Sequence, residues 1–153
     1  MIKRILVPVD FSQTSLQALD YAIEFGKPFK PEIVVVFVVE PIYFTAPTDL
    51  YAPAANVGML IEEQRRIGRE QLAGLAADLK KRRVNARTIL QTGTAHQVIT
   101  DTAKRLKADL IIMATHGRTG LSHAFLGSVA ERVVRHAQCP VLTVRGTKRR
   151  RAK

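Results

Sequence analysis

The chain has one cysteine, Cys139, in 153 residues and no tryptophan. No intrachain disulfide can form, so packing alone has to hold the fold. Its apolar runs, residues 33–39 and 108–113, are strand-sized, well short of the roughly eighteen residues that cross a bilayer. Two signatures of nucleotide chemistry are missing. There is no Gly-x-x-x-x-Gly-Lys-Ser/Thr loop and no pair of carboxylates to hold magnesium, so efficient phosphoryl transfer lacks its usual parts. Val9-Asp10-Phe11-Ser12 follows the first strand where a dinucleotide fingerprint would need Gly-x-Gly-x-x-Gly, which argues against redox chemistry with a nicotinamide. His116 and His123 lie seven apart, a spacing that matches no common metal-ligand pair, and they are expected as exposed loop histidines. His96 and His136 show no partner in the sequence, and Cys139 reads as a small buried hydrophobe. No serine, histidine and acid arrangement emerges, so neither a catalytic residue nor a metal held by the protein is expected.

Acidic residues are also scarce, 13 against 24 basic ones, for a formal charge of +11. That excess is uneven. Arg145, Lys148, Arg149, Arg150, Arg151 and Lys153 supply six positive charges at the end of the chain with no acidic residue among them. The length suits one domain over residues 1–146, followed by a basic disordered tail, 147–153. Aromatics are not interleaved with the tail, so nucleic acid is not the expected partner, although the tail leaves it open. Met1-Ile2-Lys3-Arg4 runs into an apolar segment without a signal-peptide pattern, which makes the cytoplasm the expected location and a membrane an unexpected one.

What the chain does have is alternation. Ile2 to Val9 reads as a buried strand, Ser12 as a helix cap, and Leu16, Leu19, Ala22, Ile23 and Phe25 as one helical face ended by Gly26. Ile33 to Val39 is a second β-branched run. Residues 42–57, rich in proline and aromatics, read as an irregular excursion. From Met59 to Arg82 the pattern is a long amphipathic helix with Leu60, Ile67, Leu72, Leu75 and Leu79 inward, weakened at Gly68 and Gly74 by roughly 1 kcal/mol each. Val84 to Leu90 is a strand, 91–94 a turn, and Val98, Ile99, Ala103 and Leu106 mark a helix. Ala108 to Met113 and Val141 to Val144 are strands, with a helix near Gly127 that carries Val129, Val133 and Val134. Strict β-α alternation specifies right-handed crossovers and a doubly wound, five-stranded parallel sheet with helices on both faces. Ligands of such α/β sheets sit at the carboxyl ends of the strands, where strand order reverses.

One connection stands out. Residues 114–126 join a strand to a helix through Gly117 and Gly120, with Arg118 in the loop and Gly127-Ser128 at the helix mouth. Connections this long in compact domains are usually functional or disordered. Bare backbone, a hydroxyl and a helix dipole together make a plausible phosphate cradle. Asp10 falls on the same rim and is open to two roles, capping the first helix or meeting a ligand. Met113 and Ser128 are likewise open between packing or capping and ligand contact.

The segment Ile5-Leu6-Val7-Pro8-Val9-Asp10-Phe11-Ser12, the turn at Gly93, the glycine loop ending Gly127-Ser128 and the closing Cys139-Pro140-Val141-Leu142-Thr143-Val144 together resemble the universal stress protein family, from Ile2 to Val144. The resemblance implies strand order 3-2-1-4-5, the adenine nucleotide alpha hydrolase-like fold, and ATP as ligand, with Mg2+ possible. It implies that Pro8, Val9 and Asp10 border the nucleoside, Asp10 accepting from a ribose hydroxyl or reaching a metal through water. Val38 would offer its backbone to the adenine edge, Met113 would pack on the base, and Gly117, Gly127, Ser128 and Val129 would hold phosphates. Arg118 is added to this set from the loop itself, as a cation able to approach the terminal phosphate. ATP-binding members carry Gly, two residues, Gly, nine residues, then Gly-Ser or Gly-Thr; here Ala114 replaces the first glycine. That costs on the order of 1 kcal/mol if a positive φ is needed, or puts a methyl in the ligand's path if close approach is needed. The resemblance further implies a stress sensor or signalling homodimer, paired through Val141, Leu142, Thr143 and Val144, with at most slow ATP hydrolysis. The alternative is a nucleotide-free dimeric module that works through protein partners.

Overall fold

The computed structural model describes residues 1–41, 54–115 and 126–146. The strands are β1 (Arg4–Val9), β2 (Glu32–Val39), β3 (Ala86–Thr92), β4 (Leu110–Ala114) and β5 (Val141–Val144). The helices are α1 (Gln13–Gly26), α2 (Ala54–Lys81), α3 (Ala95–Leu106) and α4 (Ser128–His136). They alternate along the chain, and the strands form one all-parallel sheet in the order β3-β2-β1-β4-β5. Order reverses between β1 and β4, where the β-branched and leucine-rich runs make the strands buried on both faces. Ile5, Leu6 and Val7 of β1 and Val34, Val35 and Val36 of β2 are fully buried.

The side chains divide by parity. Ile5, Val7, Ile33, Val35 and Ile112 pack with Leu19, Ala22 and Ile23 of α1 and Leu72 and Leu79 of α2. Leu6, Val34, Val36, Ile111 and Met113 pack with Ile99 and Ala103 of α3 and Ala130 and Val133 of α4. Two helices thus cover each face. Helix α1 starts as read: Ser12 is its N-cap and its hydroxyl accepts from the Ser15 N–H.

Several sequence expectations need correction. Helix α2 begins at Ala54, so the excursion is shorter than supposed, and residues 42–53 lie outside the described residues. Leu60 and Ile67 are 55% and 43% exposed, not core. The buried stripe is Gly68, Leu72, Leu75 and Leu79, spaced four, three and four, and the two exposed residues sit about a quarter turn away. Gly68 brings the helix backbone close to the sheet: a Cβ there would stand 2.6 Å from Phe37 Cε1. Val134 is 48% exposed because Ala130 and Val133 already face inward. Helix α1 does end at Gly26, its last helical residue, and a Cβ there would meet Pro31 Cγ at 3.0 Å. Strand β3 starts at Ala86 and takes in Gln91 and Thr92. His96 and His136 do find each other, ring centroids 6.3 Å apart, where α3 packs on α4. Cys139 is half-buried at the edge of the second core, and burial pushes its thiol up.

Ala108 and Asp109 precede β4. Asp109 is the one acid in that run, and its Oδ2 accepts from the backbone N–H groups of Lys3 at 2.7 Å and Arg4 at 2.8 Å. Those two bonds hold its carboxyl below the usual range. Nearby, Glu32 lies between Arg4 and Arg87, each 2.6 Å away, and the Arg4 hydrogen bond most of all lowers its pKa. Both clusters pin the amino ends of the strands, the pole opposite the site.

Candidate functional site

At the carboxyl ends of β1, β2 and β4 the strands open into a cavity of about 590 Å3. Pro8, Val9 and Asp10 line it from β1, Val38 from β2, Met113 and Ala114 from β4, and Gly127, Ser128 and Val129 from the head of α4. The described residues that the sequence nominated therefore meet in one place. Gly117 and Arg118 lie outside the described residues, as do His116, Gly120, His123 and the tail 147–153.

The head of α4 is shaped to receive an acceptor. Gly127 is the N-cap, and its own N–H is taken by Thr115 O at 2.7 Å, which fixes the helix start against the end of β4. The first bond inside the helix runs from Glu131 N to Gly127 O. The N–H groups of Ser128, Val129 and Ala130 therefore have no carbonyl of their own helix to reach. All three residues line the cavity. The positive end of the helix dipole lies there as well.

Helix α3 presents a different face. Thr94 at its N-cap makes no side-chain cap bond, and instead Glu40 from the end of β2 accepts from the Ala95 N–H at 2.6 Å. One carboxylate of the cavity is thus committed to capping that helix. The other, Asp10, accepts through Oδ1 from the Ser12 N–H at 3.0 Å and the Ser12 hydroxyl at 2.5 Å. Asp10 therefore both steadies the start of α1 and borders the cavity, so its two readings are not exclusive.

Ala114 ends β4, pairs with Val144 and is 9% exposed. Its φ is not among the positive values of the described residues. The conformational cost of having alanine here does not arise, which leaves the methyl at the cavity wall as the consequence of the substitution.

Sequence reasoning missed the wall that α2 provides. Gln64, Ile67 and Gln71 line the cavity, and their spacing of three and four puts them on one stripe. Two glutamines flanking an isoleucine on an otherwise charged helix were the available signal. Glu40, Ser15 and Ala95 were missed too. A second hollow, about 620 Å3, lies outside α3 against edge strand β3 and is lined by Gln91, Val98, Asp101, Thr102, Lys104 and Arg105. It gathers no helix start and none of the nominated residues, so the rim cavity is the candidate site. Among the described residues no group of three or more potential metal ligands occurs, and no helix is long and apolar enough to cross a membrane.

Known proteins share this fold. Residues 1–145 match the model of the universal stress protein family. The universal stress protein MJ0531 of Methanocaldococcus jannaschii is 37% identical over 150 residues, covering 97% of this chain and 85% of that protein. Among solved structures, the universal stress protein UspA of Lactobacillus plantarum superposes with a TM-score of 0.82 at 23% identity, covering 94% of this chain and 98% of that one. An Arabidopsis thaliana universal stress protein family member, described with AMP bound, superposes with a TM-score of 0.64 at 21% identity, covering 99% and 97%.

Proposed function

The chain belongs to the universal stress protein family, and on that premise we propose that it binds an adenine nucleotide, ATP in the first place, in the rim cavity and acts as a stress-responsive sensor or signalling homodimer. The observation that carries the reading is the convergence of Asp10, Val38, Met113, Gly127 and Ser128 on one cavity at the switch in strand order. The Arabidopsis protein with AMP bound speaks at 21% identity for the fold; the lining of the cavity brings the ligand to this chain. In the proposed complex the ribose lies against Pro8, Val9 and Asp10, the base against Val38 and Met113, and the phosphates on the N–H groups of Ser128 and Val129. Gly117 and Arg118 complete the phosphate side. Magnesium accompanies the triphosphate, with Asp10 reaching it through water. The homodimer pairs through β5, an edge strand whose outer backbone groups invite a second strand. Binding rather than turnover is the activity, in the cytoplasm.

The test is to denature the purified protein, extract small molecules and identify any nucleotide by mass, with Gly117→Val processed in parallel and the native mass read by sedimentation. Adenine nucleotide from the parent, absent from the variant, supports the phosphate cradle. An empty extract together with no thermal stabilisation by millimolar ATP and magnesium sinks the nucleotide reading and favours an interaction module working through protein partners. A monomer at micromolar concentration sinks the dimer.

A further inference from the structure

Four non-glycine residues among those described have positive φ: Phe11, Lys30, Arg83 and Lys107. Lys107 is the C-cap of α3 and Arg83 comes just after α2, where a left-handed residue commonly closes the last turn, and Lys30 lies in the turn between α1 and β2. Phe11 precedes a helix. A large aromatic residue with φ of 61° at that point is an outlier that its surroundings must hold in place, and it sits between the Asp10 carboxylate and the Ser12 cap.

Two contacts hold it. On one side Asp10 Oδ1 clamps the N–H and hydroxyl of Ser12. On the other the Phe11 ring rests on Phe37, centroids 5.2 Å apart and planes at 60°. Phe37 is fixed in turn: its backbone is in register with Val9 on β1, and its ring lies under α2 at Gly68. A Cβ at Gly68 would come within 2.6 Å of Phe37 Cε1, 2.9 Å of Cδ1 and 3.0 Å of Leu90 Cδ1. Only glycine lets the helix come this close. The neighbouring α2 residues Gln64, Ile67 and Gln71 form the cavity wall.

We propose that Gly68, Phe37 and Phe11 form a positioning column through which helix α2 sets the aim of the Asp10 carboxylate, coupling the helix that walls the cavity to the acid that borders the ligand. The proposal rests on the nucleotide reading for the identity of that ligand. Phe11 is a positioning residue that acts on the site through Asp10; Phe37 also lines the cavity itself, so its part in the column is read from the Ser12 amide and not from affinity.

Gly68→Ala and Gly74→Ala add the same methyl to the same helix, but nothing lies within 4 Å of the position at Gly74. Both variants gain helix propensity, so their difference isolates the column. In the full chain, the Ser12 amide resonance and its hydrogen exchange are followed without ligand, and ATP affinity is measured with magnesium by calorimetry. Gly68→Ala is expected to shift the Ser12 amide, speed its exchange and weaken ATP about tenfold, while Gly74→Ala leaves all three at parent values. Phe37→Leu removes the ring with the sequence of α2 unchanged and is expected to move Ser12 in the same way, which keeps the test sound should Gly68→Ala fail to fold. A parent that binds ATP, with Ser12 unchanged in Gly68→Ala and in Phe37→Leu, overturns the column alone. A parent that binds no ATP overturns the nucleotide reading, and with it the column's role in that reading.

Discussion

Replacing Ala114 by glycine separates what the fold requires of that position from what a ligand does. The residue closes β4, pairs with Val144 and is 9% exposed, so its methyl is almost wholly out of water. Glycine within a strand costs about 0.5–1 kcal/mol in backbone entropy, and losing a buried methyl costs about 0.8 kcal/mol more. Ala114→Gly should therefore lose about 1.5 kcal/mol of stability, a melting temperature roughly 3–6 °C lower for a chain of this size. The same methyl lines the cavity. If it crowds the nucleotide as an extra methyl crowds a packed core, at about 1 kcal/mol, its removal tightens ATP roughly fivefold. Saturating ATP then returns about 1 kcal/mol of the deficit, so the melting-temperature gap to the parent should shrink by more than half when ATP and magnesium are added. Thermal scans with and without nucleotide, with calorimetry for affinity, read both effects. A variant as stable as its parent would refute the packing assigned to Ala114. A destabilised variant with unchanged or weaker ATP binding would refute the crowding.

Gly93 has φ of +146°, donates its N–H to Val39 O at 3.0 Å, and would place a Cβ 2.9 Å from Val98 Cγ2. Gly93→Ala should cost about 1–3 kcal/mol, and a urea midpoint equal to the parent's would show that the turn tolerates a side chain. Glu32 and Asp109 are held below their ordinary values of 4.5 and 3.8. Their contribution is therefore fully present above those values and is lost as pH falls through the lower folded-state ones. Urea titrations from pH 6 to pH 2 should show stability declining below about pH 4.5, with the decline reduced in Asp109→Asn. A variant whose pH curve runs parallel to the parent's would exclude Asp109 as a source.

The central strands were legible because a strand covered on both faces must be apolar throughout, and β1, β2 and β4 announce themselves that way. The Ser12 cap was legible because capping is local. The face of α2 was not, since glycine carries no hydrophobic signal: the stripe from Gly68 to Leu79 was read without its first member and filled out with Leu60 and Ile67, which point elsewhere. Gly68, taken as a weak point of the helix, sits so near the sheet that a Cβ there would meet Phe37 Cε1 at 2.6 Å. Within the site, Asp10, Val38 and Ala114 could be placed because strand ends converge at a switch in order, whereas Pro8, Val9 and Met113 were placed by the family resemblance. Gln64 and Gln71 could not, because nothing in a helix's periodicity says how far it overhangs the sheet. The pairing of His96 with His136 likewise exists only once α3 packs on α4.

Charge gives the cavity a direction. Among the described lining residues there are two carboxylates, Asp10 and Glu40, and no lysine, arginine or histidine. A phosphate chain would be repelled from most of this wall. Three helix starts reach the cavity, through Ser15 of α1, Ala95 of α3 and Ser128 of α4, and they are not equivalent: the Ser12 hydroxyl occupies the N–H of Ser15 and Glu40 that of Ala95, whereas the head of α4 leaves the N–H groups of its first turn without intrahelical partners. An anion therefore has one favourable end, at Ser128 and Val129, and an unfavourable one near Glu40. On the proposed reading, a nucleotide would lie with its phosphates toward α4 and its uncharged base toward β2 and the glutamine stripe of α2. In the proposed complex, the orientation that the family resemblance implies is the one these caps favour.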